Sequence, residues 1–242
     1  GDAITAGSHN VAIGRHALTT EDGHGRNVAI GYYALAAQDA GVDGYNVAVG
    51  MEAGTAVTTG IYNTLIGAKA GDALTTGARN VAIGFNALTT EDGNGYTVAV
   101  GYEALKTQNA GAESYNVAMG YQAGLSVTTG TNNVIVGGHA GDALTTGGRN
   151  VAIGHAALST EDETGYAVAV GYQALRLQDS GSNTYNVAVG YNAGEAVTTG
   201  VQNVFVGGGA GDAVTTGQNN IAIGYNALSS EDTGNRNVAV GY

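Results

Sequence analysis

The phrase NVAIG at residues 10 to 14 returns along the whole chain, and its spacing leaves few folds open. Counted from the first residue of the phrase, copies begin at 10, 27, 46, 63, 80, 97, 116, 133, 150, 167, 186, 203, 220 and 237. The intervals run 17, 19, 17, 17 and repeat, so four rungs make a super-repeat of 70 residues. A short period held from end to end marks a solenoid, in which each unit buries its apolar side only against its neighbours. Residues 1–242 therefore read as one array, with super-repeats over 1–70, 71–140 and 141–210 and a partial one over 211–242. Both ends fall inside the repeat, so the chain reads as an excerpt of a longer fibre.

The columns of the fourteen rungs give the local structure. The first residue is Asn in twelve of them, including Asn10, Asn27, Asn46 and Asn80. The fifth is always Gly, as at Gly14, Gly31, Gly50 and Gly84. An apolar run rich in Val and Ile, bounded by Asn and Gly, reads as a strand. A glycine every rung would cost a helix about 1 kcal/mol each time. Rungs of 17 to 19 residues leave room for two or three short strands separated by turns. The expected fold is all-β, a parallel β-solenoid or β-roll with coils about 4.8 Å apart. The Asn column suits a corner where side-chain amides bond between rungs. The Gly column supplies a backbone conformation or close approach that a Cβ forbids.

Core filling follows a compensating rule. Where the residue after the conserved Ala is Leu, as at Leu18, Leu35, Leu88 and Leu105, no aliphatic residue follows three positions on. Where it is Gly, as at Gly54, Gly71, Gly124 and Gly141, that later position holds Val57, Leu74, Val127 or Leu144. Each rung thus sends one large aliphatic group inward, as constant packing density requires. Along the strand, Val and Ile share one face and the central Ala takes the other. With Val and Ile assigned to the interior, Ala12 and Ala29 point outward, and every fourth rung replaces that Ala by Leu65, Ile135 or Phe205. An outward apolar row of this kind implies partner chains against it. The expectation is a homo-oligomer joined through Ala12, Ala29, Leu65, Ile135 and Phe205, a trimer being the economical symmetric form.

Phrases of the NVAIGYNAL type with TTG linkers resemble the repeats of bacteriophage tail-fibre proteins. They are similar, more distantly, to the head repeats of trimeric autotransporter adhesins. The likeness covers all fourteen rungs, and the rung length favours the tail-fibre comparison. It implies a left-handed roll of three chains, intertwined or side by side, serving as a stiff shaft that presents a receptor-binding tip. It also implies an extracellular setting, on a virion tail or a bacterial surface. The alternative is an adhesin head or stalk whose repeated face itself binds host glycan or matrix.

Chemistry finds little foothold in such a pattern. With 8 basic and 20 acidic residues the net charge is −12, which disfavours nucleic acid and anionic membranes as partners. No cysteine is present, so disulfides and thiolate metal sites are excluded. No run of eighteen apolar residues occurs. The histidines His9, His16, His24, His139 and His155 form no H-x-x-x-H pair and read as surface variation. No catalytic residue, cofactor site or metal ligand is assigned, and the chain is expected not to be an enzyme.

Four patterns still invite a functional reading. The pairs Glu21-Asp22, Glu91-Asp92, Glu161-Asp162 and Glu231-Asp232 recur every 70 residues, and Asp39 and Asp179 fall one rung beyond. In register, Asp22 would lie over Asp39 and Asp162 over Asp179, with Asn109 in the second copy. The expected reading is a solvated charged edge, the alternative a calcium site. The run GGGAGDAV at 207–214 lacks the ending of a phosphate loop and reads as a rung corner. Tyr32, Tyr102, Tyr121, Tyr172, Tyr191, Tyr225 and Tyr242 follow the invariant Gly and read as rings packed on one another, the alternative being stacking on sugars. Threonine pairs such as Thr58-Thr59 and Thr75-Thr76 would suit an ice-binding face, but acidic columns interrupt them.

Overall fold

The computed structural model describes residues 4–163 and 165–242. It divides into two compact units, Gly1–Asn116 and Val117–Tyr242. The first carries β1 (Val11–Ile13), β2 (Val28–Ile30), β3 (Val47–Val49), β4 (Thr64–Ile66), β5 (Val81–Ile83) and β6 (Val98–Val100). The second carries β7 (Val117–Met119), β8 (Val134–Val136), β9 (Val151–Ile153), β10 (Val168–Val170), β11 (Val187–Val189), β12 (Val204–Val206), β13 (Ile221–Ile223) and β14 (Val238–Val240). Within each unit a strand pairs in parallel with the next in sequence, residue for residue. Val28, Ala29 and Ile30 face Val47, Ala48 and Val49, and Val187, Ala188 and Val189 face Val204, Phe205 and Val206. This is the parallel β-solenoid that the repeat requires, built with no helix among the described residues.

Each rung holds one strand rather than two or three, because the remainder turns too sharply. Left-handed backbone recurs at three places per rung that are not reserved for glycine. One is just before the Asn column (Tyr45 φ 50°, Tyr62 φ 62°), one lies two residues past the invariant Gly (His16 φ 59°, Tyr33 φ 57°), and one is the Leu position (Leu18 φ 50°, Leu35 φ 48°). Such a conformation costs an L-residue roughly 1–2 kcal/mol. It persists because the rung-to-rung bonds hold it, for example Tyr33 N–H to Arg15 C=O at 3.0 Å and Leu35 N–H to Ala53 C=O at 3.1 Å. The invariant glycine is a further corner. Gly84 has φ +138°, and a Cβ there would stand 2.2 Å from the carbonyl oxygen of Gly101. The same holds for Gly14, Gly31 and Gly50, each packed on the backbone of the glycine one rung on.

The interior lies on the opposite side of the strand from the one expected. Ala29, Ala48, Ala82, Ala99, Ala118, Ala152, Ala169, Ala188 and Ala222 are fully buried, as are Leu65, Ile135 and Phe205, while the flanking Val and Ile are partly exposed. Leu65, Ile135 and Phe205, together with Ala29, are therefore core residues of the single chain and not an oligomer interface. Ala12 is the exception, exposed in the first strand. The reason is the width of the coil. A Cβ on Gly54 would come within 2.5 Å of Leu65 Cδ1, and one on Gly211 within 2.4 Å of the Phe205 ring. Only Ala fits across from Leu18 or Leu35, and only Leu, Ile or Phe fills the space across from paired glycines such as Gly54 and Gly71. Constant volume thus operates across the coil, with one large strand residue serving two glycine rungs. The glycines of GGGAGDAV belong to this arrangement, since Gly211 makes room for Phe205.

Candidate functional site

The Asn column closes each coil and ties it to the next. Asn46 donates Nδ2–H to Gly60 C=O at 2.8 Å, while its Oδ1 accepts the backbone N–H of Asn63 at 2.8 Å. Asn80 does the same with Asn94 C=O (2.9 Å) and Thr97 N–H (3.0 Å). In the first rungs Asn10 donates to His24 C=O (3.0 Å) and accepts from Asn27 N–H (2.9 Å). Asn27 Oδ1 accepts from Asn46 N–H at 3.1 Å. The amide therefore bonds to backbone, across and along the stack, rather than to the amide of the next asparagine.

The acidic pairs occupy two different environments. In each, the Glu stands where glycine-type rungs place Val57 or Leu74, and Glu21, Glu91 and Glu161 are fully buried. Backbone amides make this tolerable. Glu21 Oε1 accepts from His24 N–H at 3.0 Å, and Glu91 Oε1 from Asn94 N–H at 3.3 Å. Buried glutamines complete the network: Gln108 donates to Glu91 at 3.0 Å and Gln178 to Glu161 at 3.1 Å. The following Asp22, Asp39 and Asp92 are exposed. The expected solvated edge is therefore half right. A Glu in a column otherwise aliphatic was the signal that its carboxylate is interior.

These groups do converge. Ligand atoms of Glu21, Asp22, His24 and Asp39 lie within 4.8 Å of one another, as do those of Glu161, Asp162 and Asp179. Three carboxylates at that distance, joined in the first cluster by an imidazole, are oxygen donors of the kind a hard cation takes. Glu21, however, already spends its oxygens on the His24 amide and on Asn27 Nδ2 at 3.4 Å. The second copy substitutes Asn109 for the second Asp. The capped turn recurs at Glu21, Glu91 and Glu231. His24, which reads as surface variation in the sequence, stands in the first cluster, 3.9 Å from Glu21. His139 pairs with Asp142 at 3.2 Å.

Burial holds the carboxyl groups of Glu21, Asp72, Asp142 and Asp212 above their ordinary range. Burial is the largest cause in each, opposed by the His24 amide at Glu21, by Lys69 at Asp72 and by the His139 hydrogen bond at Asp142. One oxygen each of Asp72 and Asp212 is enclosed with no hydrogen-bond partner, which favours the protonated form. Acids with raised folded values bind protons more tightly folded than unfolded. Their contribution is full below the ordinary carboxylate values of about 4 and is lost as pH rises through the raised ones. The thermal midpoint is accordingly expected to rise as pH is lowered from neutrality towards the ordinary carboxylate values of about 4. Melting curves showing a steady fall over that interval would contradict this.

The aromatic columns satisfy one another. Rings stack at 5.3 Å for Tyr45 with Tyr62, 5.2 Å for Tyr96 with Tyr115 and 5.0 Å for Tyr166 with Tyr185. After the invariant Gly, His155, Tyr172 and Tyr191 stack in series at 5.5 and 5.3 Å. Arg79 lies over both Tyr62 and Tyr96, 5.7 and 5.4 Å from the ring centres. Ring faces that stacking on sugars would use are largely occupied by neighbouring rings. No helix among the described residues is long and apolar enough to cross a membrane. Compared with protein-family models, curated proteins and solved structures, the chain matches none.

Proposed function

We propose that this chain is a non-catalytic structural shaft of an extracellular fibre, most simply a phage tail fibre, carrying a receptor-binding tip located elsewhere. The supporting observation is the Asn-to-backbone ladder. Rungs that carry the asparagine hand the same backbone bonds to the next, Thr97 and Ala167 being the two departures, so length is added without new chemistry and stability accrues neighbour by neighbour. The acidic pairs are repeated every 70 residues, with Glu21 and Glu91 committed to capping turns, which suits a mechanical element better than a cleft enzyme. The acidic surface suits a shaft that does not adsorb to nucleic acid or anionic membranes. Self-association is part of this reading, and a host glycan or protein would be met by the tip.

An antiserum against this chain, applied in immuno-electron microscopy to virions and to the producing cells, tests the proposal. Label along the length of an extended appendage is expected. Label confined to the cell interior, or to a point on a particle with no appendage, would overturn it.

A further inference from the structure

The outward side of the sheet carries a surface pattern that the shaft reading does not use. Four columns form it: the residue before Asn, the first and last strand residues, and the residue after the invariant Gly. Among the described residues, every exposed large apolar side chain except Val42 falls in these four columns. In the second unit they include Met119, Tyr121, Val189, Tyr191, Ile223 and Tyr225, each between 38% and 62% exposed. None of the 20 acidic residues lies in any of the four columns, although the chain carries a net charge of −12. Five of the eight basic residues do: Arg15, Arg26, Arg79, Arg149 and Arg236. Chance placement does not sort charge in this way.

The patch is large. Aromatic residues bury about 150–250 Å² each when covered, so the half-exposed rings and aliphatic groups of the second unit alone present on the order of 1,000 Å². That exceeds the roughly 300–600 Å² of the largest patch on an ordinary monomer. It reaches the roughly 800 Å² per partner of a stable interface. Its two central columns are Val, Ile and Met apart from Thr64, and so offer almost no hydrogen-bonding group to a hydrated glycan.

We infer that this face is covered by the same face of a second copy of the chain, in a two-fold dimer. A two-fold contact is isologous, the same patch on both subunits, whereas a three-fold ring joins two different patches on each subunit. The chain has one apolar, acid-free patch and no second one among the described residues. An interface free of carboxylates also brings none of the chain's negative charge directly against itself. The two-fold therefore replaces the three-fold arrangement expected from the outward alanine row, which the fold places in the core. The inference stands on the distribution of side chains; a mass of three chains would overturn the two-fold and leave the self-associating shaft intact, whereas a single-chain mass would remove self-association from that reading as well.

Light scattering on the purified whole chain tests it. The expected mass is twice the 24.0 kDa of one chain at micromolar concentration. Val187→Glu with Val189→Glu, both on the outer face of β11, should halve that mass and leave the far-UV spectrum and melting curve near those of the parent. Should that pair fail to fold, Tyr172→Lys with Tyr191→Lys at the rim provides the same readout. A parent mass of one or three chains overturns the two-fold, as does a folded variant that keeps the parent mass. A monomeric parent that sediments with phosphatidylglycerol vesicles would assign the face to a lipid surface instead.

Discussion

Aspartate at Leu65, Ile135 and Phe205 together is expected to abolish folding, not to release folded single chains. Each of these side chains is fully buried within its own chain and fills the space left by glycines, Leu65 against Gly54 and Gly71, Phe205 against Gly194 and Gly211. Truncation of a buried Leu, Ile or Phe costs about 2–5 kcal/mol, and a buried unpaired carboxylate adds to that. The three sit in separate super-repeats, so their effects should add. The sum, on the order of 10 kcal/mol, is comparable to the whole stability of a typical domain. Loss of the β-type far-UV signal at 25 °C is the readout. A soluble species of reduced mass with the parent spectrum would return these residues to an interface.

Removal of one ladder amide is the second large effect. Asn203 Oδ1 accepts Asn220 N–H and its Nδ2 donates to Gly217 C=O, each at 2.8 Å and each in the interior. Asn203→Ala leaves that N–H and that C=O buried and unpaired, at about 1–3 kcal/mol apiece. The expected loss is therefore about 2–6 kcal/mol by denaturant titration. Nearest-neighbour coupling should confine the faster hydrogen exchange to the adjoining rungs. Gln202→Ala, one residue earlier and exposed, should change stability by no more than about 0.5 kcal/mol. Equal effects of the two would mean that the ladder amide contributes nothing specific.

The period, the strand position and the Asn and Gly columns are legible in the sequence because each is a recurrence, and recurrence needs no knowledge of tertiary packing. Which strand face is interior is not legible from alternation. Val-Ala-Ile is apolar on both faces, and a period of two separates the faces without ranking them. The ranking was present in a longer-range pattern, the pairing of Leu65 with Gly54 and Gly71 across the coil. Left-handed Leu and Tyr residues give no local signal. Only their alternation with glycine, as Leu35 with Gly54, marks the Leu column as one needing positive φ. The buried glutamates were hidden by the pair they belong to, since Glu-Asp reads as surface until Glu21 is aligned with Val57.

Single lysine substitutions across one strand test the central claim most directly, that the alanine side is the chain's own interior. In β9, Val151→Lys and Ile153→Lys should fold and melt within a few degrees of the parent. Ala152→Lys should unfold the surrounding rungs or lower the midpoint far more than either. An Ala152→Lys protein that melts like the parent, beside Val151→Lys and Ile153→Lys proteins that do not fold, would place the core on the other face and contradict the account.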